Sequence, residues 1–309
     1  MVIIGRMRRS HSHHLLRGLA LLLGLFCLLL PSAFAVERGA LFKLTLHGHT
    51  MHLFGTMHVG RPEFYPLEPR MMRALTEAST LALEIDLAQA PQEMQRDMRA
   101  YALLPAGGKT YDSLAPERKR RLDTLIRQAG LDPTVALALK PVLLATMLTM
   151  GEYTRLGYRA DLSSDAYLAG VAQERHVRVI GLESLAQQLR ILDRLPEPAR
   201  WAFLDETIDA LDSGAEREEA QVLLHAWSTA DRRALDGVLQ KSEADRSVSG
   251  RFLDEVLLKE RNRAMAERLL ALLQAEPHTV GAVGVLHLLG KSGVPALLQA
   301  HGVVVERVY

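Results

Sequence analysis

Two short motifs of the form G-x-x-H carry the residues of this 309-residue chain that are best suited to chemistry. They are Gly55-Thr-Met-His58 and Gly284-Val-Leu-His287, and each follows an apolar, strand-like run. Glu84 lies inside a third apolar run, where a carboxylate costs free energy unless it is paired or binds a ligand. Imidazole nitrogens and carboxylates are ligands of catalytic metal ions and also act as general bases. The pattern therefore predicts an enzyme site built from both ends of the chain.

A second carboxylate, Glu183, ends a further predicted strand. Four strands would then finish in or near His58, Glu84, Glu183 and His287. Side chains at the carboxyl ends of strands lie where α/β sheets bind their ligands. The glycines of the two motifs permit unusual backbone geometry and leave room for a ligand to approach. We therefore expect these four side chains to line one crevice.

A group of histidines near a predicted turn offers an alternative site. His47, His49 and His52 surround a hairpin turn, and H-x-H spacing puts two rings on one face of a strand. These three rings are either exposed to solvent or form a three-histidine metal site, and the sequence allows both. The chain contains no H-E-x-x-H, G-x-S-x-G, P-loop or complete G-x-G-x-x-G motif. The chemistries that those motifs signal are therefore not indicated.

Hydrophobic periodicity predicts strands near both ends of the chain. Residues 41–46 and 51–55 read as a β-hairpin, which argues against a uniformly parallel sheet. Further strands are predicted at residues 80–86, 176–182, 279–285 and 303–308. The predicted fold class is α/β, of the mixed α+β kind. A mixed central sheet of N- and C-terminal strands would be flanked by helices and interrupted by a helical middle insertion.

The middle of the chain shows the i, i+3/i+4 spacing of amphipathic helices. We predict a helical cap over roughly residues 90–175 and 184–273, with single helices over 134–150 and 247–273. No linker or low-complexity tract separates independent domains. Residues 36–309 are therefore predicted to form one domain.

The first 35 residues have the pattern of a cleaved signal peptide. Four arginines precede an apolar core at residues 19–30, and Ala33-Phe-Ala35 fits a cleavage site. The core holds about a dozen residues, whereas a spanning helix needs roughly 20, so no stable membrane span is expected after cleavage. The protein is predicted to be exported and to be periplasmic or secreted.

Composition excludes several classes of function for the part that follows the leader. The single cysteine, Cys27, lies inside the leader, so thiolate nucleophiles, disulfides and cysteine-rich zinc sites are excluded. Residues 36–309 carry 33 basic and 36 acidic side chains, a net charge of −3. With no basic stripe and few aromatic residues, nucleic acid is not a predicted partner.

Several motifs, taken in order, resemble the TraB/PrgY/GumN family. The matching segments lie between residues 41 and 309. They are Leu53-Phe-Gly-Thr-Met-His-Val59, Glu84 in Leu-Glu-Ile-Asp, Ser164-Asp165, Gly181-Leu-Glu-Ser184 with Gln187-Gln-Leu189, Glu260-Arg-Asn-Arg263, and Gly284-Val-Leu-His287. The order and spacing of these motifs together are far more specific than any one of them.

The family is similar to the Tiki proteins, membrane-tethered metalloproteases that cleave Wnt with two G-x-x-H motifs, a glutamate and a manganese- or cobalt-type ion. The resemblance implies that His58 and His287 are metal ligands or catalytic histidines and that Glu84 is the family glutamate. It also implies an Arg261-Asn262 pair near the site. Related folds include erythromycin esterases, which use a similar His/Glu/His set without a required metal, and haem-binding ChaN-like proteins.

These residues and this resemblance lead to three hypotheses. The first is a metal-dependent hydrolase, of the peptidase type, acting on a peptide or small-molecule substrate. Its manganese, cobalt or zinc ion would be held by His58, His287 and one or both of Glu84 and Glu183. If Glu84 is not a ligand it would serve as general base, and Arg261 would offset charge on the carbonyl oxygen.

The second hypothesis is a metal-independent esterase with His58 as general base. The third is a non-enzymatic protein that binds or sequesters a peptide signal, haem or an envelope partner. The sequence leaves the natural substrate, the metal and the oligomeric state open.

Overall fold

The computed structural model describes residues 36–86, 91–105 and 111–309, and the strands among them form one six-stranded sheet. The predicted leader, residues 1–35, lies outside the described residues. The strands are β1 (Leu41–Leu46), β2 (His49–Thr56), β3 (Thr80–Ile85), β4 (Arg178–Glu183), β5 (His278–Gly284) and β6 (Val304–Arg307).

The sheet is mixed, as the hairpin at its start predicts. Its strand order is β4-β3-β5-β2-β1-β6. β1 pairs antiparallel with β2 and β6, whereas β2, β5, β3 and β4 are parallel to one another. Parallel strands end at the same edge of a sheet, where α/β folds bind their ligands. Because β2 and β5 are neighbours, with Thr56 paired to Gly284, the two G-x-x-H segments leave the sheet side by side.

Helices flank this sheet and fill the middle of the chain, which confirms the predicted α/β fold class. Five of them begin at a proline, whose missing N–H costs nothing in the first turn of a helix. The helices are α1 (Pro69–Glu77), α2 (Pro91–Tyr101), α3 (Pro116–Gln128), α4 (Pro133–Ala138), α5 (Pro141–Arg155), α6 (Ser164–Glu174), α7 (Leu185–Leu192), α8 (Glu197–Ser213), α9 (Ala215–Ser228), α10 (Arg232–Ala244), α11 (Val248–Phe252), α12 (Arg261–Ala275) and α13 (Val294–Ala300).

The buried apolar side chains form two clusters. The larger covers the sheet and includes residues of α12 such as Met265 and Leu269. The smaller lies among the helices of the middle section and includes Leu122, Leu144 and Trp201. The helical insertion therefore has a core of its own. In contrast, α12, at the end of the predicted cap, packs against the sheet.

Two predicted helices differ in the structure. The helix expected over residues 134–150 is split into α4 and α5, because Pro141 has no N–H to donate and holds Lys140 in extended backbone. The helix expected over residues 247–273 contains a π-helix, Leu253–Glu260, between α11 and α12. Such π turns are frequent at functional sites, and this one directly precedes Arg261.

Residues Val36–Tyr309 form one compact unit. Among the helices of the described residues, none has the length and apolar composition needed to cross a membrane.

Trp227, on α9, holds the end of β2 in place. Its indole Nε1 donates a hydrogen bond of 2.8 Å to the carbonyl oxygen of Gly55. The ring is fully buried and packs against Phe54 and Phe64. A helix of the middle section thus supports the backbone of the first G-x-x-H motif.

We expect Trp227→Phe to lower the free energy of unfolding by about 2–4 kcal/mol. The substitution removes the donor from the buried Gly55 carbonyl and leaves a gap beside Phe54. Urea unfolding followed by circular dichroism measures the change. Val222→Ala, at an exposed position of the same helix, is the control and should change stability by no more than about 0.5 kcal/mol. A loss for Trp227→Phe no larger than that of the control would contradict this role.

Candidate functional site

The carboxyl edge of the parallel strands brings both G-x-x-H motifs and both glutamates together. β3 contains Glu84 as its second-last residue, and β4 ends at Glu183. β2 leads directly into His58, and β5 leads into a short 3-10 turn, Val285–Leu288, that contains His287. The four side chains singled out in the sequence therefore come from four adjacent strands.

Glu84 is the buried anion at the centre of this edge, with a side chain that is 7% exposed. Its Oε1 accepts a hydrogen bond of 2.6 Å from the Gly284 N–H, and its Oε2 accepts one from Arg261 Nη2. Burial alone would raise the pKa of the Glu84 carboxyl. The two histidines, Arg261 and the Gly284 N–H outweigh burial and hold this pKa well below its usual range. Glu84 is therefore ionised at neutral pH and is a weak base.

His287 is buried, and Asn262 determines its tautomer. The amide nitrogen of Asn262 donates to the Ser292 carbonyl oxygen at 2.8 Å, so Oδ1 of Asn262 faces His287 Nδ1, at 2.6 Å. Since Oδ1 only accepts, Nδ1 carries the proton and Nε2 is left as an acceptor, with the donor Arg261 Nη1 3.3 Å away. Burial, aided by the Arg261 charge and opposed by Glu84, lowers the pKa of His287 to about 4. The ring is therefore neutral at pH 7.

His58 differs from His287 in exposure and in partner. Its side chain is 59% exposed, and its Nδ1 lies 3.2 Å from Asp165 Oδ2. The other oxygen of Asp165 accepts a hydrogen bond of 2.9 Å from the Thr56 hydroxyl. Desolvation lowers the pKa of His58, but the carboxylates of Asp165 and then Glu84 outweigh it and raise the pKa to about 9. His58 is therefore an imidazolium near pH 7.

Three side chains converge on the space over Gly284. His58 Nε2 lies 3.8 Å from Glu84 Oε1, and His287 Nε2 lies 3.7 Å from the same oxygen. A Cβ added at Gly284 would lie 3.1 Å from Glu84 Oε1, 3.4 Å from His58 Nε2 and 3.5 Å from His287 Cδ2. The absence of a side chain at this glycine leaves the room that the three groups share.

Gly55, the first glycine of the other motif, lies outside this space. A Cβ there would lie 2.9 Å from Val285 Cγ2, so this glycine lets the two G-x-x-H segments pack closely. Its carbonyl oxygen is taken by Trp227. The two glycines thus have different roles: Gly284 opens the site, and Gly55 allows the approach of the segments that form it.

Arg261, the first residue of α12, joins the two glutamates. Its Nε and Nη2 donate to Glu183 at 2.7–3.1 Å, and Gln188 donates to the same carboxylate at 2.9 Å. Its Nη2 also donates to Glu84, and its Nη1 lies 3.3 Å from His287 Nε2. Glu183 is predicted from the sequence as a metal ligand. In the structure it bonds Arg261, which lies between it and His287.

Asp165 is a site residue that reasoning from the sequence did not assign a role. It lies 107 residues beyond His58, so no local spacing pairs the two. Its position follows from Ser164, whose N–H donates to the Met57 carbonyl oxygen and whose hydroxyl accepts from the Met57 N–H. The Ser164-Asp165 dipeptide, at the start of α6, was the only signal available.

His58, His287 and Glu84 offer the nitrogen and oxygen donor types that bind divalent metal ions. Each histidine uses Nδ1 on a fixed partner and directs Nε2 toward Glu84 Oε1, as metal-binding histidines do. The separations of 3.7 and 3.8 Å are close to the roughly 3.4 Å between ligands of a tetrahedral ion with bonds of about 2.1 Å. Within residues 36–86, 91–105 and 111–309, no group of three or more His, Cys, Asp or Glu side chains is arranged so that it could hold a metal ion. Arg261 occupies one side of Glu84 instead.

The alternative three-histidine site does not form among the described residues. His47 lies in the turn with a φ of 50°, and His49 begins β2 with its Nδ1 2.9 Å from the Leu273 carbonyl oxygen. His52 is three residues further along the strand, so its ring lies on the opposite face from that of His49.

Comparison with known proteins identifies one family. The model of the TraB/PrgY/gumN family matches residues 40–307. A protein of Escherichia coli strain K12 named "Uncharacterized protein YbaP" is 27% identical over 257 residues, which cover 83% of this chain and 90% of the relative. The protein of the same name from Shigella flexneri matches with the same identity and coverage. No solved structure matches the chain significantly.

We expect Asp165→Asn to lower the pKa of His58 from about 9 by roughly 1–3 units, because the carboxylate that stabilises the imidazolium is removed. NMR titration of the imidazole in chelator-treated protein measures the shift. Asp161→Asn, at an exposed carboxylate paired with Arg159 nearby, is the matched control and should leave the His58 titration in place.

The same pair makes stability depend on pH with a defined sign. The pKa of His58 is higher in the folded protein, at about 9, than its ordinary value of 6.5. The stabilisation of the folded state by the charged His58 is therefore fully present below pH 6.5 and is lost as the pH rises through about 9. The stability difference between wild type and Asp165→Asn should shrink over that range. An unchanged His58 pKa in Asp165→Asn would contradict the assignment.

Proposed function

The chain belongs to the TraB/PrgY/gumN family, and from that premise we propose that it is a metal-dependent hydrolase that cleaves peptide bonds. One observation carries the proposal: two oriented histidine nitrogens and an ionised carboxylate converge on the space over Gly284. His58, His287 and Glu84 would hold the ion, which is manganese, cobalt or zinc by the chemistry of this donor set. A divalent ion bound there supplies Lewis-acid chemistry, polarising a carbonyl group and acidifying water.

The residues around the ion ligands have separate tasks. Asp165 and Asn262 keep a proton on Nδ1 of each histidine, so that both Nε2 atoms face the site, and an ion bound there would displace the Nε2 proton of His58. Glu84 has a low pKa, which favours a ligand role over that of a general base. Arg261 Nη1, beside His287, is placed to donate to an oxygen that gains negative charge in the transition state.

The choice of peptide bonds as substrate rests on the similarity of the family to the Tiki metalloproteases, which the two G-x-x-H motifs and the glutamate suggest. The exposure of His58 supports access for a large substrate, because its ring is open to solvent while Glu84 and His287 are buried. The signal-peptide pattern of residues 1–35 supports a place of action outside the cytoplasm, periplasmic or secreted.

A second candidate is metal-independent hydrolysis with His58 as general base, and the His58–Asp165 contact favours it. A carboxylate on Nδ1 orients an imidazole and raises its basicity. Since the pKa of His58 is about 9, the basic form prevails only above that pH. This mechanism therefore predicts activity that survives chelation and increases as the pH rises through about 9.

We expect the purified protein to cleave a mixture of peptides, detected by mass spectrometry, when Mn²⁺, Co²⁺ or Zn²⁺ is supplied. The chelator EDTA should abolish cleavage, because the ligands alone leave no activated water. His58→Gln, His287→Gln and Glu84→Gln should each lower kcat/KM by about 100-fold or more, since each removes an ion ligand.

The matched control for the histidine variants is His301→Gln, at an exposed position after α13 that should keep full activity. Full activity after exhaustive chelation would reject the metal and favour His58 as base. Tight binding of peptide or haem without turnover would reject hydrolysis and favour a sequestering protein.

Gly284→Ala tests the shared space directly. Its backbone, with φ −48° and ψ 136°, is one that alanine adopts, so we expect stability within about 1 kcal/mol of wild type. The added methyl group would fill the space between the three side chains, and Mn²⁺ binding by calorimetry and peptide cleavage should both fall by about tenfold or more. Gly237→Ala, where an added Cβ meets nothing within 4 Å, is the control. Wild-type metal binding by Gly284→Ala would contradict the assignment of this space.

A further inference from the structure

A groove beside the candidate site carries an excess of positive charge. It lies at the carboxyl end of β4, between one face of α7 and one face of α12, and its volume is about 380 Å³. Gln187, Arg190 and Ile191 line it from α7, where their spacing of three and four residues puts them on one face. Arg261, Ala264 and Arg268 line it from α12 with the same kind of spacing. We call it the arginine groove.

Two of the four arginines of the arginine groove are already neutralised. Arg261 pairs with Glu183, and Arg194, which follows α7, pairs with Glu260. These four side chains all line the groove and cancel one another in charge.

The other two arginines have polar or aromatic contacts but no carboxylate partner in the part of the chain that the structure describes. Arg190 donates to the Ala186 carbonyl oxygen at 3.2 Å, and its guanidinium lies 5.3 Å from the centre of the Tyr101 ring. Arg268 donates to the carbonyl oxygen of Leu182. The lining side chains therefore carry a net charge of about +2 that the described residues leave unmatched.

Part of the lining of the arginine groove is apolar, since Leu182, Ile191 and Ala264 contribute to it. Guanidinium groups beside apolar side chains suit a ligand with an aliphatic stem and a planar carboxylate, which arginine binds through paired N–H groups. A glutamate side chain of a peptide has this composition, and so does the carboxyl terminus of a peptide.

The arginine groove and the proposed catalytic centre share one wall. Glu183 and Arg261 line the groove, and Arg261 also bonds Glu84 and lies 3.3 Å from His287 Nε2. A ligand in the groove would therefore sit against the residue that borders the space over Gly284.

We propose that the arginine groove is a substrate subsite that binds a carboxylate of a peptide, with Arg190 and Arg268 as the residues that determine this preference. The proposal rests on the proposed peptidase function for its meaning, but the binding it describes does not require turnover. Exposed pairs of opposite charges are individually weak, so two such pairs correspond to a preference of about tenfold.

Isothermal titration calorimetry with four short peptides tests the proposal. Three are acetylated and amidated and differ only in a central glutamate, glutamine or lysine; the fourth is the glutamine peptide with a free carboxyl terminus. We expect the glutamate peptide, the free-terminus peptide or both to bind about tenfold more tightly than the amidated glutamine peptide. The peptide that binds more tightly, the glutamate peptide or the free-terminus peptide, identifies the source of the carboxylate. Equal affinity for all four peptides would overturn the proposal.

Variants of the groove arginines show which residues cause the preference for a carboxylate. Arg190→Gln/Arg268→Gln should lose it, and Arg190→Glu/Arg268→Glu should prefer the lysine peptide, an inversion that damage to the fold would not produce. Arg233→Gln, at an exposed arginine of α10 outside the groove, should keep it. Retention of the preference in the double glutamine variant would overturn the proposal. Cleavage without any acidic preference would reject the groove alone, and acidic preference without cleavage would reject the peptidase alone.

Discussion

The carboxylate of Glu84, buried within the central sheet, is the constraint on which the rest of the site depends. A buried ion costs several kcal/mol unless donors and opposite charges surround it. These come from distant parts of the chain: the Gly284 N–H from β5, the guanidinium of Arg261 from α12, and the imidazolium of His58 after β2. The strand order puts β3 beside β5, and α12 begins at the same edge of the sheet. This arrangement supplies the partners that the Glu84 carboxylate needs. Removing a partner from such an ion typically costs about 3–5 kcal/mol, so the site and the stability of this edge are coupled.

The same carboxylate lies beside two histidines whose charge states differ. Both Nε2 atoms are within 3.8 Å of one Glu84 oxygen, yet the pKa of His58 is about 9 and that of His287 about 4. The partners on the far side of each ring explain the difference: Asp165 is an anion that stabilises an imidazolium, whereas Asn262 is a neutral amide in a buried place. Titratable groups driven apart by their surroundings are typical of acid–base sites.

The inserted helices position the first G-x-x-H motif. Trp227 of α9 bonds the Gly55 carbonyl, and Ser164 at the start of α6 bonds the backbone of Met57. Asp165 then meets His58 from the same helix end. The second G-x-x-H motif is held differently, since Asn262 of α12 orients His287. His58 therefore depends on a helix that is remote in sequence, and His287 on the helix that precedes β5, so the insertion is part of the site.

The amino-acid sequence by itself determined the fold class, the strand bounds to within two residues and the convergence of His58, Glu84 and His287. These have local signals: periodicity, glycine turns, and polar residues at the ends of apolar runs. Pro141 also carried a local signal that overrides helical periodicity. Only the tertiary structure decided the partners: Glu183 pairs with Arg261, and Asp165 with His58, across 78 and 107 residues. Such pairs leave no periodic trace in a single sequence, because they depend on how separate elements meet. The charge state of each histidine follows from those partners and from burial, so it too was decided by the fold.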